Sequence, residues 1–270
     1  MNAGDERGRY DRREGDDQEQ LGTRALQASF ARFDRLVERA DAMQIRPGTS
    51  LAGDRDATPY SSVPDQVRTA VAVALDHLHG MKLTVVGAKA VIPFGMFTAM
   101  RSAYEASATG LWLLSPESRD ERVLRSLRLG YDNRRQVKNA LEALGRDDPG
   151  FNRAVGFLER DRDGRPNLNG VDLRGVASVT DRLKSIAELL PDLFMPPLVL
   201  WQTSSGMAHG NAAMMLQLLD REQMTDVQHG GADYMLTPSL LTLASYFDAA
   251  LDMIEALCDL YDTRNQGRGV

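Results

Sequence analysis

Apolar residues recur along most of this chain at alternating intervals of three and four, the spacing of one face of an α-helix. Leu26, Phe30, Phe33, Val37 and Ala40 predict a first helix, which Arg46-Pro47-Gly48 ends; 46–62 reads as loop. Val67, Val71, Ala74, Leu78, Met81 and Val85 predict a second, capped by Ser62 or Asp65. Pro93 separates it from a third over 94–114. Ser118 and Glu121 form a capping-box pattern that opens a fourth helix reaching about residue 144. Residues 145–175 are rich in Gly, Pro, Asp and Asn and read as a long loop interrupted by a short helix at 151–159. Helices resume at 176–190 and 197–218. Thr237-Pro238 predicts the start of the last, a cap residue followed by a first-turn proline. Its stripe is Leu240, Leu243, Phe247, Leu251, Ile254, Leu257 and Tyr261. A small hairpin is expected near 220–236, about His229-Gly230-Gly231. No run alternates as an extended series of strands does. The expected fold is all-α: a single bundle of six to eight helices over 21–264.

Residues 1–20 hold seven acids, four arginines and almost nothing apolar, which predicts a disordered tail. They contain no apolar leader segment, so a cytoplasmic location is expected. The net charge of −6 argues against broad non-specific binding to nucleic acid or an anionic membrane, and no membrane partner is expected. Arginine supplies 28 of the 32 basic residues, a bias that suggests a GC-rich bacterial source. The single cysteine, Cys258, excludes an internal disulfide and reads as a small buried apolar residue. No metal or cofactor is expected.

Two segments stand out because they are nearly free of charge. Residues 193–219 contain no Asp, Glu, Lys or Arg, yet include Gln202, Ser204, Ser205, His209 and Asn211. They are too polar to span a membrane and read as a central helix. Residues 91–114 carry only Arg101 and Glu105, four apart and so on one helix face. Trp201, Ser205 and His209 are also four apart. Buried polar groups need partners, so the two strips are expected to face each other. Arg101, Glu105, Ser205 and His209 then form the candidate catalytic site. His209 would act as acid/base, Glu105 would orient it, and Arg101 would stabilise an anion. The same residues also fit a satisfied structural network that only sets helix register.

The fourth helix carries Arg119, Arg122, Arg125, Arg128, Arg134, Arg135 and Lys138. Arg125, Arg128 and Arg135 share a face near Tyr131, a pattern that suits RNA or phosphate and also suits a solvated helix surface.

Arg101-x-x-x-Glu105 in one helix and Ser205-x-x-x-His209-Gly210 in a later one resemble a diffuse group of uncharacterised bacterial helical proteins near the HEPN superfamily of toxin, abortive-infection and RNase domains. The resemblance covers about residues 65–262 and implies an RNA-directed role. The chain lacks that superfamily's catalytic Arg-x4-6-His pattern. No Arg lies between Arg182 and His209, Arg68 is nine residues before His77, and Arg221 is eight before His229. The functional expectation is an internal polar site that binds or acts on a phosphate-bearing small molecule or RNA, in a protein that could form homo-oligomers. The alternative is a non-enzymatic protein-interaction module.

Overall fold

Side-chain caps set many of the helix boundaries. In a computed structural model, which describes residues 15–226 and 232–267, there are ten α-helices among the described residues and not six to eight. They are α1 (Asp16–Asp41), α2 (Ser50–Ala57), α3 (Val63–Val86), α4 (Pro93–Leu114), α5 (Arg119–Ala143), α6 (Phe151–Asp163), α7 (Val179–Ser185), α8 (Pro197–Ala208), α9 (Ala212–Leu218) and α10 (Leu240–Arg264). No described helix is long and apolar enough to cross a membrane.

The extra helices have local causes. Thr49 accepts a hydrogen bond from Ala52 N at 3.2 Å and so starts α2 inside the segment expected to be loop. The long helix expected at 197–218 is broken in two. Gly210 takes φ +69, a left-handed conformation that ends α8. The Asn211 side chain then accepts from Ala213 N and Met214 N at 3.0 and 3.2 Å, starting α9. The helix expected at 176–190 is shorter. Ser178 caps α7, and Ala187–Leu189 forms a separate 3-10 turn. The expected tail is also cut back, since α1 begins at Asp16; residues 1–14 lie outside the described residues.

The expected hairpin has its strands in place. β1 (Leu219–Gln223) pairs antiparallel with β2 (Tyr234–Pro238), from Leu219 opposite Pro238 to Gln223 opposite Tyr234. The proposed turn residues 229–231 lie outside the described residues. Thr237 and Pro238 therefore end a strand. The cap of α10 is Ser239, whose hydroxyl accepts from Thr242 N at 2.9 Å.

The chain divides into two compact units. The first comprises residues up to Glu38, Ala74–Glu105 and Asp192–Met253; the second comprises Arg39–Val73, Ala106–Pro191 and the residues from Ile254 on. In the first unit Phe30 meets Phe247 edge-on at 5.3 Å, and Phe97 meets Tyr246 at 5.2 Å. The buried Tyr104 hydroxyl donates to the Tyr246 carbonyl at 2.6 Å. Gly22 is required here: a Cβ on it would stand 2.5 Å from the backbone nitrogen of Leu241. Arg32 ties α1 to α10 through Asp248 and Asp252, at 3.0 and 2.6 Å.

In the second unit, Val123, Leu124, Leu127, Leu158, Leu168 and Leu173 form an apolar cluster between α5, α6 and the segment after it. Beside α2 lies a buried ion pair. Asp54 has no exposed surface, and Arg122 is 1% exposed. Arg122 donates from Nε and Nη2 to the two Asp54 oxygens at 2.7 and 2.9 Å. Nη1 donates to the carbonyls of Pro116 and Glu117, and Nη2 also donates to the Ser50 hydroxyl, each at 2.8 Å. Cys258 is buried, and that burial pushes its thiol pKa up to about 11.

Arg122→Met leaves a buried carboxylate short of its main partner and is expected to destabilise the chain by about 3–5 kcal/mol in urea unfolding. A joint Asp54→Leu/Arg122→Met change is expected to recover much of that loss. A cost below 1 kcal/mol for Arg122→Met, or no recovery, counts against this role.

Candidate functional site

Among the described residues, the polar strips of α4 and α8 meet at Trp201. Trp201 Nε1–H donates to Glu105 Oε2 at 3.2 Å, and the Arg101 guanidinium stands 5.3 Å from the Trp201 ring centroid. Both charged residues are half-buried. A tryptophan thus serves both: its ring face attracts the cation and its indole N–H serves the carboxylate. Close by on α8, the Thr203 hydroxyl is 3.0 Å from the Tyr246 hydroxyl, whose pKa burial raises.

Ser205 and His209 do not join this contact. Among the described residues neither side chain hydrogen-bonds to Arg101 or Glu105. His209 is exposed and forms the C-cap of α8, with its backbone amide bonded to Ser205 O at 3.0 Å. The reason is local. The i, i+4 spacing holds only while the helix continues, and Gly210 ends it one residue after His209. The four candidate residues therefore divide into an engaged pair, Arg101 and Glu105, and an unengaged pair, Ser205 and His209.

A second grouping lies on α5, within the second unit. Arg128, Tyr131, Asp132 and Arg135 line a cavity of about 370 Å³ together with Leu173, Arg174, Gly175 and Val176. Three guanidiniums face one carboxylate there. Arg128 is anchored through Nε, which donates to the Asp172 carbonyl at 3.2 Å. Arg135 donates through Nε and Nη2 to Asp132 Oδ1, and Gln136 donates to Oδ2 at 2.7 Å. Burial opposes the charge on Asp132, but the bonds from Arg135 and Gln136 and the nearby guanidiniums of Arg135 and Arg182 hold its carboxyl below the usual range. Arg174 reaches the Tyr131 hydroxyl, which raises its guanidinium pKa further. Arg128 keeps both terminal nitrogens, and Arg135 keeps Nη1, directed to no protein acceptor among the described residues. The backbone of the opposite wall turns at Gly175, with φ +82.

The sequence pattern placed Arg125, Arg128 and Arg135 together. Arg125 instead turns inward, donating to the Trp112 carbonyl at 2.6 Å and to Glu121 at 2.9 Å. Its place in the cleft is taken by Arg174, from a later stretch without periodicity. No described group of three or more His, Cys, Asp or Glu is placed to hold a metal ion.

No family model, curated protein or solved structure matches the chain.

His209→Ala is expected to change stability by no more than about 0.5 kcal/mol, as for other exposed positions. Gly210→Ala, one residue on, is expected to cost about 1–2 kcal/mol, because alanine is strained at positive φ. Thermal unfolding of the two variants checks this; equal effects would contradict the placement of the helix break.

Proposed function

We propose that the protein binds a small phosphate-bearing ligand in the arginine cleft of α5. The observation that carries this reading is the convergence of Arg128, Arg135 and Arg174 on one cavity of about 370 Å³, with Asp132 as the one carboxylate among its described lining residues. Guanidinium groups present planar, forked donors that match phosphate oxygens, and they stay charged at any physiological pH. The anchoring bonds of Arg128 and Arg135 fix their position while leaving donors for a ligand. Such preorganisation reduces the ordering cost of binding. Tyr131 adds a ring beside the guanidiniums, and its contact with Phe151 at 6.1 Å holds that ring in place.

The lining supports binding and not turnover. Asp132 already accepts from Arg135 and Gln136, and the remaining lining residues are apolar or glycine apart from the arginines and Tyr131. The acid/base scheme built on His209 has no support from the engaged pair at α4 and α8, whose contacts are those of a structural tie. This reading does not draw on the HEPN resemblance.

The shared chemistry is the phosphate group, so free and polymeric forms must be told apart. A nucleoside monophosphate titrated at low salt is expected to bind. Arg128→Gln, Arg135→Gln and Arg174→Gln are each expected to weaken it about tenfold, the loss of one charge-assisted hydrogen bond. Binding of single-stranded RNA with a steep salt dependence, but no binding of the monophosphate, would assign the face to RNA instead. No binding of either at low salt would sink the proposal.

A further inference from the structure

The connection between α3 and α4 carries apolar side chains into solvent. Leu83, Val86, Ile92 and Phe94 are 57%, 47%, 53% and 45% exposed. They lie within 15 residues of one another, in the first unit. No Asp or Glu occurs from 77 to 104, although the chain has 38 acids. Two of the four lysines, Lys82 and Lys89, fall in the same stretch. Lys82 is paired with Asp34. Lys89 is exposed and forms no ion pair among the described residues.

Lys89 is also the one described non-glycine residue at positive φ, +54. Glycine adopts that conformation without the steric cost that an L side chain meets. Lys89 lies in sequence between the exposed apolar residues Val86 and Ile92. Such a backbone outlier is grounds for asking what the side chain does. Part of the turn is closed by its own backbone hydrogen bonds. Gly87 and Ala88 donate to Leu83 O at 2.8 and 3.2 Å, and Ala90 donates to Thr84 O at 3.2 Å.

We infer that the α3–α4 turn docks on an anionic lipid surface. Leu83, Val86, Ile92 and Phe94 enter the boundary between headgroups and acyl chains, and Lys89 meets lipid phosphate. This is contact with one leaflet and not a span, and it departs from the expectation of no membrane partner drawn from the overall charge. The local charge has the opposite sign to the whole: with Lys82 paired to Asp34, the turn itself presents Lys89 and no acid. A second copy of the chain is the poorer occupant. A two-fold contact through this turn would bring Lys89 toward its own copy, with no carboxylate in the turn to answer it.

The test is flotation of the full chain with phosphatidylcholine vesicles, with and without phosphatidylglycerol, at low salt. Flotation is expected only with the anionic vesicles. Ile92→Ser/Phe94→Ser alters exposed positions, so it should keep its helicity while losing that flotation. Lys89→Gly is expected to weaken vesicle binding about fivefold while its melting temperature stays the same or rises. Failure to float with anionic vesicles overturns the inference, and so does equal flotation with neutral ones. Unchanged binding by Lys89→Gly also overturns it. A concentration-dependent dimer that the Ile92/Phe94 variant loses, without vesicle binding, would assign the turn to a second copy.

Discussion

A carboxylate with no access to water is tolerable only if its charge is answered on the spot, and Asp54 meets that condition through Arg122. The guanidinium lies almost as deep as the acid, and each of its nitrogens has an acceptor. Arg119 adds a second, partly exposed bond to Asp54 at 3.1 Å. This single pairing links α2 to the first turns of α5, and it gathers in the chain just before α5 through the carbonyls of Pro116 and Glu117. The arginine cleft lies further along the same helix. Its Arg128 and Arg135 lie about two and about four turns beyond Arg122 on the helix that this pair anchors.

The two polar groupings illustrate different uses of the same residue types. At α4 and α8 one tryptophan meets both charges: its indole N–H serves Glu105 and its ring faces the Arg101 guanidinium. In the cleft, three arginines outnumber one carboxylate, and donors are left over. A surplus of positive charge around a cavity is stabilised when an anion arrives or water solvates it.

Much of the helical frame was legible. The stripes Val67, Val71, Ala74, Leu78 and Leu243, Phe247, Leu251, Ile254 are all buried, and Ser118 caps α5 with its hydroxyl toward Glu121 N. Periodicity failed where a single residue decides. Gly210 breaks a pattern that is apolar on both sides of it, and His209 leaves its strip as a result. Asp54 sits in a short polar stretch with nothing to show that its carboxylate is buried. Arg122 looked like a member of a solvated basic face because helical spacing records direction around one axis and not which neighbour packs there. Arg174 belongs to a loop, whose long-range partner Tyr131 is set by the fold alone. Of the site, the α5 residues Arg128, Tyr131 and Arg135 were visible beforehand; the wall opposite them was not.

The burial of Cys258 has a practical side. The chain has no other cysteine, and a thiol with a pKa near 11 holds almost no thiolate at neutral pH. Maleimides and oxidants that require thiolate meet an inert target in the folded protein. A cysteine introduced at an exposed position thus becomes the sole reactive handle, so a fluorophore or spin label can be attached at one chosen point without first removing a native residue from the core.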